Sequence, residues 1–322
     1  MINWGIIGAG NIAHRFAKSL ENVEGAHLYA VARRTLEKAK EFQADHPCDK
    51  VYDDYQALID DQAVDAIYIA LPHKLHLEWV EKSLKAKKAV LCEKPATMNL
   101  EEMEKIEKMA QEENVFFMEA MKSRFTPAYK AVKKHVEKGH IGQLEQITTS
   151  LCRVFPEDQA SYHYEVGQGG CLLDMGVYNI ALLEDYTVSP WEIESLDFEL
   201  ADNGVETYVN VQLRSKDITA TIESAFDRTT ETVAIFQGSK GEIRLYDFHR
   251  PTSYALIIED EPIQEIHLDY IVDDFYGEIQ HVMDCLVQNK IESPVMPLEG
   301  SVNVAKIMEE IKNAIHSRAN KV

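Results

Sequence analysis

Three groups of residues in this chain have the types and spacing to do chemistry. The first closes the run Ala89-Val90-Leu91-Cys92-Glu93-Lys94-Pro95, where an apolar strand leads into a lysine flanked by a carboxylate and a proline. Proline can neither extend a sheet's hydrogen-bond ladder nor leave its predecessor helical, so Pro95 stops the strand and holds Lys94 at its carboxyl end. In open parallel sheets that end is where ligands bind. Taken alone, the tripeptide reads equally as a surface lysine in a strand-to-helix loop. The second group, Gly8-Ala9-Gly10-Asn11-Ile12-Ala13, matches G-x-G-x-x-A between a short strand and a helical pattern. Gly8 allows the tight turn, Gly10 lets backbone approach a pyrophosphate, Ala13 permits close packing of helix on strand, and the helix start offers N–H groups to phosphate. The third group is Asp174 and Tyr178, four residues apart in a helical pattern set by Leu172, Leu173, Val177, Ile180 and Ala181. That spacing puts a carboxylate and a phenol on one helix face, for catalysis or simply as a local contact.

The elements that must position these groups alternate along the first half of the chain. Strand signals at 3–7, 27–32, 66–69, 89–92 and 115–118 interleave with helical patterns at 12–20, 36–42, 75–84 and 100–110, which predicts a doubly wound parallel sheet over residues 1–121. About 20 residues past the glycine loop, where a chain preferring NAD places an acid for the ribose 2′-hydroxyl, stand Arg33 and Arg34. Arginine's planar fork suits a 2′-phosphate, so the pair points to NADP, with NAD possible. The loop Leu71-Pro72-His73-Lys74-Leu75-His76 follows the strand at 66–69, and His73 or, preferably, His76 is the candidate to meet a nicotinamide or substrate.

Residues 122–322 predict an α+β domain for substrate binding and oligomerisation. Pro127 opens a helix over 128–136, a strand follows at 144–151, and 153–170 is a long mixed segment read as a wall of the substrate cleft. From 193 to 267 successive antiparallel strands build a large open sheet, with a hairpin turn at Gly238-Ser239-Lys240-Gly241. Helices at 275–286 and 302–315 close the chain. One wide sheet face left in water would expose more apolar area than monomers usually do, which predicts a homodimer or homotetramer through that sheet.

Composition narrows the partners. With 322 residues and 45% hydrophobic content the chain can bury two domain cores. Its 33 basic and 54 acidic residues leave a net charge of -21, which repels nucleic acid and anionic membranes and sends any anionic ligand to a local basic site. Five scattered cysteines, without a C-x-x-C pair, argue against a disulfide framework or a metal site, and no apolar run reaches the ~18 residues of a membrane span; a cytoplasmic protein is expected.

The glycine loop, the loop ending at His76 and Glu93-Lys94-Pro95, in this order and spacing, resemble the glucose-fructose oxidoreductase, inositol dehydrogenase and MocA (Gfo/Idh/MocA) family. Phe117-Met118-Glu119-Ala120-Met121 with Arg124-Phe125, and Gly169-Gly170-Cys171-Leu172-Leu173-Asp174-Met175-Gly176-Val177-Tyr178, resemble its branch of dimeric dihydrodiol and NADP-dependent D-xylose dehydrogenases. The resemblance implies an NAD(P)-dependent dehydrogenase acting on CH–OH groups, with Lys94 as active-site lysine, Asp174 as the carboxylate before the catalytic group, and Tyr178 in place of a histidine used by many relatives. Cofactor contacts then fall to Gly8, Ala9, Gly10, Asn11, Ile12, Arg33, Arg34, Leu71, Pro72, His73, His76, Glu93, Lys94 and Met121. Lys122 departs from the branch, standing where an aromatic residue is expected, which turns the substrate from aromatic diols towards sugars. Rival readings are a keto- or anhydro-sugar reductase and a sensor that keeps the cofactor site without chemistry; Lys94, Asp174 and Tyr178 together argue against the sensor.

Overall fold

Apolar runs four to seven residues long, each followed by an amphipathic helix, generate the first unit. The computed structural model describes residues 1–156, 162–187 and 190–319. In chain order the first unit contains β1 (Ile2–Ile7), α1 (Asn11–Leu20), β2 (Ala26–Ala32), α2 (Leu36–Asp45), β3 (Lys50–Tyr52), α3 (Tyr55–Asp60), β4 (Ala66–Ile69), α4 (His76–Lys85), β5 (Ala89–Glu93), α5 (Leu100–Glu113) and β6 (Phe117–Ala120). The six strands are parallel in the order β3-β2-β1-β4-β5-β6. Strand order reverses beside β1, and such a switch point opens a crevice at the strands' carboxyl ends. Ile6, Ile7, Val31, Ile67, Ile69, Val90 and Leu91 are buried, as strands covered by helices on both faces require. Strand β3 and helix α3 carry too little apolar pattern to announce themselves: Lys50-Val51-Tyr52 is a short edge strand with an exposed lysine.

The second unit contains α6 (Pro127–Glu137), β7 (Leu144–Cys152), a π-helical turn (Leu172–Gly176) running into α7 (Val177–Tyr186), and then β8 (Glu192–Leu200), β9 (Glu206–Ser215), β10 (Ile218–Ala225), β11 (Val233–Gly238), β12 (Gly241–Tyr246), β13 (Ser253–Ile258) and β14 (Gln264–His267). Its eight strands run in the order β14-β13-β12-β11-β7-β10-β9-β8, antiparallel except for β7 against β10. The Gly238–Gly241 hairpin forms as its sequence dictates, with those two glycines paired. Register separates the two faces sharply. The cross-strand row Leu245, Ala234, Thr149, Ile222, Val211, Leu196 is buried, whereas the next row reads Arg244, Ile235, Thr148, Thr221, Gln212, Ser195. The outward row is mainly polar, so the expectation of a broad apolar face is not met.

The chain does not divide simply at residue 121. The first unit takes residues 1–122 and also 271–302, and the second takes 123–270 and 303–322. The returning segment, with α8 (Tyr276–Val287), belongs to the first unit because it completes that unit's core: the Trp4 indole N–H donates to Met283 S at 3.4 Å, and Phe117 N–H donates to Ile291 O at 3.1 Å. The last helix, α9 (Leu298–Ala319), begins in the first unit and continues in the second.

Candidate active site

In the first unit the glycine turn follows β1 at the switch point. Gly8 has φ +94°, and a Cβ there would stand 2.3 Å from Ala70 O, so only glycine fits. At Gly10, the N-cap of α1, a Cβ would meet nothing within 4 Å, which leaves that backbone open to a ligand as the pyrophosphate reading requires. The two arginines divide their work. Arg33 Nη1 donates to Ala9 O at 2.8 Å and so braces the turn, while Arg34 is exposed and lies against the Tyr55 phenol.

Lys94 emerges half-buried from the end of β5, and its neighbours are tied down on every side. The Tyr68 hydroxyl donates to Glu93 Oε1, Ala96 N–H donates to Glu119 Oε1 at 2.8 Å, and the Lys94–Pro95 peptide is cis. Tyr68 was silent in the sequence: it is paired with Leu91, two residues before Glu93, so its hydroxyl reaches forward along one sheet face only once register is known. His76 takes a different part from the one expected. It is fully buried, with Nδ1 2.9 Å from Pro95 O and Nε2 2.8 Å from Leu71 O, so both ring nitrogens are committed to backbone and neither is left for a nicotinamide. Burial pulls its pKa down, partly offset by those carbonyls. Met121 is likewise enclosed, and its side chain presents no surface to a cofactor. His73 is buried, Leu71 partly so and Pro72 exposed in the same loop.

Lys122 is engaged by a carboxylate that the sequence did not reveal. Its ammonium lies 2.5 Å from Asp274 Oδ2 and 4.5 Å from the Phe275 ring centre, and Arg15 holds the other oxygen of the same carboxylate at 2.5 Å. Burial pushes the Asp274 carboxyl up, but the two cations more than offset it and hold it below the usual range. Nearby, Glu278 is wholly buried, and desolvation with the Glu93 charge drives its pKa well up.

In the second unit the segment carrying Asp174 winds as a π turn, a form frequent at functional sites, before α7 begins at Val177. Between Cys171 and Leu183 only Asp174 and Tyr178 escape burial, so the two share the one open face. The helix is anchored from below: the Asn179 amide donates to Ser224 Oγ at 2.9 Å and to Glu223 O at 3.0 Å. Rings from elsewhere in the unit complete the surroundings, with His249 5.9 Å from Tyr178 and His163 Nε2 3.7 Å from Asp174 Oδ2. Neither histidine was singled out as a site residue: His249 reaches the helix from a loop distant in sequence, and His163 from the irregular segment just ahead of it, which has no period to orient its side chains. Of the long segment 153–170, residues 157–161 lie outside the described residues. A cavity of about 450 Å³ elsewhere in this unit, between Val136, Leu144, Tyr186 and Ile218, carries none of these groups. Among the described residues no cluster of metal-binding side chains occurs and no helix is long and apolar enough to cross a membrane.

A doubly wound sheet with a glycine turn at its switch point, followed by a mostly antiparallel sheet unit, defines a class of dinucleotide-dependent oxidoreductases. The chain belongs to the Gfo/Idh/MocA family: residues 2–121 match its oxidoreductase domain with NAD-binding Rossmann fold, and residues 129–244 match its C-terminal domain. It is 31% identical over 320 residues to scyllo-inositol 2-dehydrogenase (NADP(+)) IolU of Bacillus subtilis, covering 97% of this chain and 96% of that one. It is also 32% identical over 330 residues to trans-1,2-dihydrobenzene-1,2-diol dehydrogenase of Mus musculus, covering 98% and 97%. Among solved structures, KijD10, a 3-ketoreductase from Actinomadura kijaniata in complex with NADP and TDP-benzene, superposes with TM-score 0.87 at 25% identity over 97% of each chain. Aldose-aldose oxidoreductase from Caulobacter crescentus, at TM-score 0.90, 20% identity and 98% of each chain, shares the fold.

Proposed function

We propose that this protein is an NADP-dependent oxidoreductase that moves a hydride between nicotinamide and a hydroxyl or carbonyl carbon of a sugar or cyclic diol, working in a reducing cytoplasm. The observation that carries this reading is Lys94, pinned at the end of β5 in a sheet whose glycine turn is open at Gly10 and flanked by Arg33 and Arg34. Relatives named for a cyclitol and for a cyclic diol support the substrate class. Residues Gly8 to Ile12 would hold the pyrophosphate and Arg34 the 2′-phosphate; the bound nicotinamide supplies the hydride acceptor in one direction and the donor in the other.

Oxidising an alcohol also strips a proton from the hydroxyl, so a base must lie within hydrogen-bond reach of that oxygen. We assign that base to Tyr178, with Asp174 as the group that orients the hydroxyl and Lys94 as the active-site lysine. A phenol titrates near ~10, and bringing it to neutrality asks ~4 kcal/mol of its surroundings. Incubating the protein with NADP and a panel of aldoses, inositols and cyclic diols, and reading absorbance of the reduced cofactor, tests the activity; silence across the panel and across the matching ketones in reverse refutes it. Tyr178→Phe should then lower kcat by roughly two to four decades while NADP binding stays intact. Near-parental kcat in Tyr178→Phe, beside an inactive Lys94→Met, would transfer the base role to the lysine. We also infer that two or more copies associate through the outer face of the eight-stranded sheet.

A further inference from the structure

The loop ahead of the π turn brings to Asp174 a histidine that the function above leaves unused. His163 Nε2 stands 3.7 Å from Asp174 Oδ2, and the two side chains are only 15% and 17% exposed. The imidazole is held between two rings: Phe155 stacks at 4.4 Å with planes 28° apart, and Tyr162 at 4.1 Å with planes 29° apart. Phe226 meets it edge-on at 5.5 Å and 87°. Backbone locks the same residue, since Gly170 N–H donates to His163 O at 2.8 Å, and a Cβ on Gly169 would stand 2.3 Å from that oxygen. Three rings and a closed backbone loop therefore fix where the imidazole points. At 3.7 Å the contact is an ion-pair separation rather than a hydrogen bond, and contacts of this kind commonly tighten only around substrate. A histidine kept for packing alone has no need of a carboxylate at its edge, because phenylalanine would fill a stack of rings equally well.

We propose that His163 is a positioning residue for the reaction: its imidazole, clamped between Phe155 and Tyr162, keeps Asp174 ionised and fixed in orientation so that the carboxylate can hold the reacting hydroxyl. The inference rests on the reading that places Asp174 in the catalytic group. An N–H or imidazolium beside Oδ2 favours the charged carboxylate and removes its freedom to rotate, and a small misplacement of such a group can cost about a hundredfold in rate.

Two measurements test this, one of them independent of turnover. In protein with isotopically labelled histidine, the His163 ring should titrate about one pH unit higher in the parent than in Asp174→Asn, because the carboxylate stabilises the imidazolium. Equal titration in both overturns the proposal whether or not any substrate has been found, and leaves the proposed function standing. The second measurement uses variants that separate packing from pairing. His163→Phe refills the stack without a nitrogen and should keep thermal stability and NADP affinity while kcat falls about tenfold or more. His163→Ala opens a slot that free imidazole can occupy, so added imidazole should restore several-fold turnover, and should fail to do so in the His163→Ala, Asp174→Asn double variant. Parental kcat in His163→Phe, or rescue that persists without Asp174, reduces His163 to a packing residue.

Discussion

At the scale of single residues, the two arginines after β2 make a sharper prediction than the sequence allowed. Arg33 is bonded to Ala9 O, so its loss loosens the turn that any dinucleotide needs; Arg34 is exposed and available to a 2′-phosphate. Each charge-assisted bond to phosphate contributes roughly 1.5–3 kcal/mol, or about one to two decades in affinity. Arg34→Ala should therefore weaken NADP by that amount and leave NAD unchanged, whereas Arg33→Ala should weaken both, as read by fluorescence titration of each cofactor. Equal losses of the two cofactors in Arg34→Ala would remove it from phosphate recognition. The same scale shows what residue identity conceals. Lys94, Asp174 and Tyr178 were legible because strand, proline and helix period fix where they stand. The partners of His76 and Lys122 were not legible, because Pro95 O with Leu71 O and Asp274 lie 19, 5 and 152 residues away. A polar side chain near a motif is read as facing the ligand until such partners are seen to bury it.

At the scale of elements, the backbone leading into the π turn packs on a carboxylate whose pKa burial raises. Glu206, on β9, packs against Gly170 so closely that a Cβ there would lie 2.2 Å from Glu206 Oε1, and Gly170 adopts φ +111° to make room. Burial lifts the Glu206 carboxyl to about 6, opposed only in part by its own backbone N–H and by Lys312. A pKa raised on folding means the folded state binds the proton more tightly. The stabilisation is therefore complete below about pH 4.5 and lost as pH rises through about 6. The size follows from the shift, ~2 kcal/mol at ~1.4 kcal/mol per unit. Glu206→Gln removes this titration, so its stability relative to the parent should improve by about that amount between pH 4 and pH 8 in denaturant unfolding. A difference that stays flat across the range would show that the Glu206 carboxyl titrates alike in the folded and unfolded chain. Elements themselves were largely legible, since period and length fix strands and helices locally. The π turn was not, because it differs from an α-helix only in which carbonyl each N–H meets. Nor was the allegiance of α8, which depends on Met283 meeting Trp4 across 279 residues.

At the scale of the whole molecule, the proposed assembly must overcome charge. Each chain carries -21, and the outward row of the eight-stranded sheet offers threonine, glutamine and serine with one arginine and one isoleucine rather than a broad apolar surface. Interfaces between separately folded proteins are often no more apolar than the rest of the surface, so hydrogen bonding between such faces remains a sound basis for pairing. What opposes it is the repulsion of two like-charged bodies, which acts over about 30 Å at 10 mM salt and about 8 Å at 150 mM. Salt should therefore strengthen association here. If ion pairs through Arg244 and its acidic neighbours held the copies together, salt would weaken it instead. Light scattering at micromolar protein should give at least twice the 36.6 kDa chain mass at 150 mM salt, with dissociation favoured as salt is lowered to 10 mM. Dissociation on raising salt would assign the contact to ion pairs. A mass of 36.6 kDa at every ionic strength would mean that the sheet face is not an interface.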